Sequence, residues 1–450
     1  MGWNREHMRG SGRGISNHRP DEILGKAVRC LGCLFLLLLI FGSHVARATE
    51  GPALGIRAVA ASSGGRPVEG SSARQDSHSG FQESPRWLFS QGEEAFGLEE
   101  YETAVRWFSK ASARGHAGAQ FLLGKMHLAG QGVEMDEGMA AELFVQSATA
   151  GHLDAQFELG NLHYWGRGVP EDDAEALKWY LRSAEGGNPE AQLFLSRLLH
   201  LAPGAPRDSI EGADWVREAA KSGYAEAQFD LAVRFDQGDG VMLSKPHAAM
   251  WYHRAAKQGL VRAQFNFGWV LREGEGVVKD IPEALEWWRK AAEQGDMRAQ
   301  YNLGGTYQQG TLVKKNLREA VKWFRMAGEQ GEIDAQVNMA MMNSRGEGVV
   351  KDLEAAVRWL RMAAEQESPV AAFKLGLALW EGEGVAKNAI ESHAWIQFAV
   401  ARGEEEEFLE RGGEWLKKID ATFTSSEREE AEEKYYEFEE MFAPTHECSQ

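Results

Sequence analysis

With 450 residues the chain has length for about three domains, and 43% hydrophobic and 26% charged residues are ordinary for a soluble protein. The formal net charge of −18 argues against nucleic acid, whose phosphates need clustered Lys and Arg; it suits solubility or a basic partner. The balance turns more negative without residues 1–48, which hold seven basic residues against three acidic.

Residues 1–26 are rich in Arg, Gly and Ser and lack periodicity. The apolar run from Leu34 to Phe41, followed by Ala46-Arg47-Ala48, has the layout of a secretory signal, and cleavage is expected after Ala48. The longer run from Ala27 to Val45, interrupted near its ends by Arg29 and His44, leaves an uncleaved N-terminal anchor as the alternative. Either form exports the rest of the chain. Cys30 and Cys33 have zinc or redox spacing but no second ligand pair, so no metal role is expected. Only Cys448 stands beyond the leader, which rules out an internal disulfide in the rest. Residues 49–83, rich in Gly, Ser and Ala without an apolar stripe, read as a disordered tether.

Helical structure is expected from Pro85. Trp87, Ala95 and Phe96 mark a first helix turned by Gly97, and Tyr101 to Ala113 form its partner. A fixed period then governs the chain. Ala-Gln recurs every 36 residues from Ala119-Gln120 to Ala335-Gln336, and blurs to Ala371-Ala372. Trp follows in phase at 107, 179, 215, 251, 287, 323, 359 and 395, with Leu143 in the one vacancy. A period without slippage marks units that bury their apolar faces only by stacking on neighbours. Between the helices stands Gly-x-Gly-Val, as at Gly274/Gly276/Val277 and Gly346/Gly348/Val349. Its glycines suit left-handed helix ends, its Val is expected to tuck against the helix pair, and Asp280, Asn316, Asp352 and Asn388 fall where the second helix needs an N-cap.

The pattern A-Q-x-x-L-G-x-x-Y, G-x-G-V, D-x-x-x-A-x-x-W-x-x-x-A-A-x-x-G resembles the Sel1-like repeat family, relatives of the tetratricopeptide repeat, over residues 84–403. The resemblance implies an all-α solenoid: a right-handed superhelix of eight to nine antiparallel helix pairs, with the first helices lining a concave face. Two units depart from the pattern. Ala202-Pro-Gly-Ala-Pro206 replaces one turn, with Ser196 in place of the helix Gly, and a local change of curvature is expected there. Glu367 replaces a closing Gly. Residues 404–450 read as an acidic helical cap, with helices over 404–419 and 426–442 and a capping box at Ser426 and Glu429. The bland reading of this segment is a solubilising end; the sharper one is a dock for a basic partner.

No catalytic motif is present: no HExxH, GxSxG, P-loop or GxGxxG after a strand. No cofactor, metal or catalytic residue is therefore expected. His127 and His163 share a repeat column and read as half-buried core, and the Trp column reads as packing. Partner choice is expected in the columns that vary from unit to unit on the first helices. One runs Lys125, Asn161, Arg197, Val233, Trp269, Gly305, Met341, Leu377; the next turn runs Ala129, Trp165, Leu201, Gln237, Glu273, Gln309, Arg345, Glu381. Asn266, Asn302 and Asn338 form a third column that suits either structural bonding or a grip on a peptide backbone. The expected contact set is Trp165, Arg197, Asn266, Trp269, Asn302, Asn338, Met341 and Arg345. The expectation is an exported, monomeric, non-catalytic adaptor for a protein or peptide, in the periplasm or outside a bacterium, or in the endoplasmic reticulum lumen or outside the cell in a eukaryote. Two alternatives stand beside it. By resemblance, exported Cys-rich relatives suggest a β-lactamase-like hydrolase, but they rely on a Cys pair in each unit that this chain lacks. A surface protein binding glycan or cell-wall polymer would use Trp165 and Trp269 side by side.

Overall fold

The repeat centred on residues 297–331 shows how the sequence makes each helix pair. The Asp296 carboxylate accepts from the Ala299 backbone N–H at 2.9 Å and opens a helix over Met297–Gln309. Its buried stripe is Ala299, Gln300, Leu303, Gly304 and Thr306, and Gly310 stops it at φ 71°. Asn316 caps the second helix, Leu317–Glu329, which buries Ala320, Val321, Trp323, Phe324, Ala327 and Gly328. Glycine at 304 lets the two helices close up: a Cβ there would lie 2.6 Å from the Phe324 ring. Leu303, Trp323 and Phe324 are almost fully buried, each contributing about 2–3 kcal/mol of transfer free energy.

The computed structural model describes residues 84–201, 210–403 and 406–442. Among them are twenty α-helices and no strand. They fall into two units divided between Ser244 and Lys245. The N-terminal unit holds α1 (Pro85–Gly97), α2 (Tyr101–Ser112), α3 (Ala117–Ala129), α4 (Glu137–Thr149), α5 (Leu153–Trp165), α6 (Asp173–Glu185), α7 (Pro189–Leu201), α8 (Ile210–Lys221) and α9 (Ala225–Gln237). The C-terminal unit holds α10 (Lys245–Lys257), α11 (Val261–Glu273), α12 (Ile281–Glu293), α13 (Met297–Gln309), α14 (Leu317–Glu329), α15 (Ile333–Arg345), α16 (Leu353–Ala364), α17 (Pro369–Glu381), α18 (Ala389–Arg402), α19 (Glu406–Asp420) and α20 (Ser425–Phe442). Within each unit every helix packs on the next in the chain, from α1 to α9 and from α10 to α19, and α20 returns onto α18.

The Ala-Gln pair has a definite task. Alanine at 263, 299 and 335 is fully buried at the helix contact. The Gln264, Gln300 and Gln336 amides donate to the carbonyls of Ala256, Ala292 and Gly328 at 3.3, 2.9 and 2.9 Å, at the end of the preceding helix. In the C-terminal unit a second glutamine completes the link: Gln294, Gln330 and Gln366 donate to the Oε1 atoms of Gln264, Gln300 and Gln336. The second turn glycine is fixed by contact as well as by conformation, since a Cβ on Gly348 (φ 75°) would lie 2.3 Å from the Leu317 carbonyl oxygen of the preceding repeat. Val133, Val169, Val349 and Val385 pack against their core clusters as the turn motif implied. The Trp column is packing: Trp251, Trp287, Trp323 and Trp395 are buried.

Several local expectations are corrected. Gly97 is the last residue of α1 and does not make the first turn; Glu99 takes the left-handed conformation at φ 62°. The box opening α20 lies two residues earlier than expected: Glu427 accepts from the Thr424 N–H at 2.8 Å, and the Glu427 N–H donates to Thr424 Oγ1 at 3.3 Å. Phe423, 5.7 Å from His393, fixes this earlier entry. Glu367 adopts φ 63° in the position of a closing glycine. The Pro-containing turn at 202–206, the leader and the tether lie outside the described residues. Ser196 has a partner that no repeat pattern foretold: Arg234 of α9, 5% exposed, donates to its Oγ at 2.9 Å. Asp230 and Asp239 flank that guanidinium at 3.5 and 3.9 Å.

Candidate functional site

The three variable columns fall on the first helices, held in register by the glutamine links. Of the eight expected contact residues, Trp165 and Arg197 belong to the N-terminal unit and the other six to the C-terminal unit. Trp165 is the last residue of α5, half-buried and edge-on to Tyr164 at 4.9 Å; Arg197 is half-buried on α7. Trp165 also stands one turn later in its helix than Trp269 does, so the two do not occupy one repeat position.

In the C-terminal unit the candidate face takes shape on α11, α13, α15 and α17. Asn266 and Asn302 are half-buried residues whose side-chain amides make no hydrogen bond among the described residues and stay open to water. Asn338 uses its amide on the Asp334 carbonyl of its own helix at 2.8 Å. The column therefore divides into two open amides and one occupied donor. Trp269 is half-buried and packs on the same core as Trp288, 6.5 Å away. The Arg272 guanidinium lies 5.0 Å over its ring, and Arg298 lies 4.3 Å over Phe265, whose ring stacks on Trp288. Met341 is half-buried, and Arg345, exposed at the end of α15, stands 3.8 Å from Glu347. Amide groups beside partly exposed apolar surface are the combination that grips an extended chain.

Two features went unread in the sequence. Lys374 of α17 occupies the same repeat position as the three asparagines and was legible by extending that column one unit. A cleft of about 1050 Å³ lies between α14 and α16, lined among others by Arg325, Val350, Arg358, Trp359 and Met362. Exposed Val350 in its rim comes directly after the Gly-x-Gly-Val turn, where solvent exposure could not be read from residue type. Among the described residues no group of three or more His, Cys, Asp or Glu is placed to hold a metal, and no helix is long and apolar enough to cross a membrane.

Within each unit, helix pairs repeating about every 36 residues and packed each on the next define an α-solenoid of the helix-pair repeat class. The chain belongs to the Sel1 repeat family, which matches it nine times, at residues 88–116, 117–152, 153–188, 189–224, 225–260, 261–296, 298–332, 333–368 and 369–404. Among solved structures, a Sel1 repeat protein from Oxalobacter formigenes is 31% identical, with the match covering 67% of this chain and 88% of that one at a TM-score of 0.51. The c5321 protein, a protective antigen present in uropathogenic Escherichia coli strains displaying an SLR fold, is 29% identical over 82% of this chain and 86% of its own, at a TM-score of 0.46. No curated protein sequence matches the chain.

Proposed function

We propose that the protein is an exported scaffold that holds a segment of a protein or peptide partner on the first-helix face of its C-terminal unit. The observation that carries this reading is the pair of half-buried residues Asn266 and Asn302, whose amides are open and make no hydrogen bond among the described residues, on the same face as Trp269. A polar group partly removed from water gains most from a ligand hydrogen bond, and amides serve a backbone C=O and N–H equally. The leader of residues 1–48, with its apolar run and Ala46-Arg47-Ala48, supports export.

The test is retention of a partner. The immobilised protein and an Asn266→Ala, Asn302→Ala, Trp269→Ala variant are each exposed to extract from the compartment where the protein resides. A protein retained by the wild type and lost from the variant is the expected result. Equal retention by both overturns the assignment of this face.

A further inference from the structure

The cleft between α14 and α16 lies where two replacements in the repeat each remove a partner from the same arginine. One repeat further on, Arg361 donates to Glu391 Oε1 at 2.8 Å, thirty residues along the chain. The same carboxylate oxygen accepts from the Trp395 indole N–H at 3.3 Å, four residues later on its own helix. Glu283 holds the Trp287 indole in the same way, at 3.2 Å. Moved back by 36 residues, Arg361, Glu391 and Trp395 become Arg325, Ala355 and Trp359, and all three line the cleft. The glutamate is gone and its two donors remain. One repeat earlier, Arg289 donates to the Tyr307 hydroxyl at 3.0 Å. The residue at that position in the cleft is Asn343, 4% exposed, whose short side chain spends its amide on Met339 O at 2.7 Å. Arg325 therefore has neither partner that its counterparts use. Among the described residues its guanidinium makes no hydrogen bond or ion pair, and the Trp359 indole N–H makes no hydrogen bond.

We propose that the cleft receives a carboxylate from outside the chain, the glutamate side chain of a partner peptide, seated over Ala355 where Glu391 stands in the next repeat. A guanidinium and an indole N–H already receive a carboxylate in this fold, and Arg358 adds a second cation to the cleft wall. A cleft of about 1050 Å³ is larger than a free small acid fills, and Val350, Leu353 and Met362 offer apolar surface beside the seat. Glu329, Asp352 and Glu354 also line it, beyond ion-pair distance of either arginine, and they repel a ligand of many negative charges. A single glutamate flanked by apolar residues meets both conditions. The site is built on second helices, so it is separate from the first-helix face proposed above and stands or falls without it.

The experiment uses the purified full chain and a fluorescein-labelled, C-terminally amidated peptide, Gly-Ser-Leu-Glu-Leu-Ser-Gly, read by fluorescence anisotropy. The same peptide with glutamine in place of glutamate is the neutral probe, and propionate is the competitor. The expected result is binding of the glutamate peptide that weakens about tenfold or more for the glutamine peptide, for Arg325→Met and for Ala355→Glu, whose own carboxylate takes the seat. Arg318→Met, which removes the same charge from an exposed position of α14 outside the cleft, is expected to bind as the wild type does. Circular dichroism of each variant establishes that it is folded, and either Arg325→Met or Ala355→Glu alone suffices for the comparison. No binding of the glutamate peptide, equal binding of both peptides, equal losses for Arg318→Met and Arg325→Met, or full binding by Ala355→Glu overturns the proposal. Displacement of the peptide by propionate at equal concentration also overturns it, in favour of a small-acid site. Binding lost with Asn266→Ala and Asn302→Ala but unchanged by Arg325→Met puts the peptide on the first-helix face and removes the cleft site.

Discussion

Replacing Gln300 with methionine keeps the volume of the side chain and deletes its polar end, which tests the glutamine links directly. Gln300 is 1% exposed. Its amide donates to the Ala292 carbonyl at 2.9 Å, and its Oε1 accepts from Gln330 at 2.7 Å. Neither former partner is wholly abandoned, because Ala292 O still accepts from the Gly295 N–H at 3.0 Å and the Gln330 amide still reaches Met326 O at 3.4 Å. The loss is therefore two net hydrogen bonds at about 1 kcal/mol each, roughly 2 kcal/mol in all, without a full desolvation penalty. Gln156 supplies the internal control. It keeps the bond to the preceding helix, to Ala148 O at 3.1 Å, but its Oε1 has no partner, so Gln156→Met is expected to cost about half as much. Because repeat arrays open locally, native-state hydrogen exchange over α12 and α13 is the sensitive readout, with urea unfolding as its companion. Exchange protection lost near Ala292 and Gly295 is expected in Gln300→Met. Equal costs for the two methionine variants, or a cost at Gln300 below about 0.5 kcal/mol, refute the two-bond accounting.

Glu99 sits exposed at φ 62°, where a side chain is strained; Glu99→Gly is expected to stabilise the first helix pair by about 1 kcal/mol, read as a raised urea midpoint. Removing the buried guanidinium in Arg234→Met leaves Asp230, Asp239 and Ser196 facing one another, and is expected to cost roughly 3 kcal/mol against about 1 kcal/mol for Ser196→Gly; equal costs rule out the charge as the dominant element. His116 and His152 cap α3 and α5 through Nδ1, accepting from Ala119 and Ala155 N–H at 3.1 and 3.3 Å. Burial first of all holds both pKa values below the ordinary 6.5, so the folded state prefers the neutral rings. Their contribution is complete above pH 6.5 and is lost as pH falls from 6.5 through the folded values, because the unfolded chain binds protons first. Unfolding of the first helix pairs is therefore expected to shift to lower urea on acidification, and replacement of both histidines with asparagine, which caps without titrating, is expected to flatten that dependence.

The features legible in the sequence are those set by local chemistry repeated in phase. Asp280, Asn316, Asp352 and Asn388 each accept from the backbone N–H expected of an N-cap, because that geometry needs only three residues of helix. The helix pairs were legible for the same reason. Where several residues qualify, tertiary packing decides. Thr424-Ser425-Ser426 offers two possible boxes, and Phe423 packing near His393 selects the earlier one. His116 and His152 were not legible as caps, since imidazole does this only when the ring is held, here by stacking on Phe89 and Phe121 at 4.4 and 4.8 Å. The candidate face was legible as columns but not as chemistry. Nothing in residue type separates Asn338, whose amide is spent on its own helix, from Asn266 and Asn302, whose amides are open. The link between Ser196 and Arg234, 38 residues apart, lies outside any periodic reading.

The glutamine links also bear on how such a chain lengthens. Each 36-residue segment brings the donor that closes the helix before it and the carbonyls that its successor will close. A tandem duplication of one segment therefore arrives with its bonding matched at both joins, wherever in the period the break falls. Growth by whole periods keeps every such pair intact, whereas an insertion within the eight residues between donor and acceptor separates them. Drift is then free to work on the variable columns of the new copy. Arrest of the series needs an element of different kind, and α19 and α20, packed against α18, supply it.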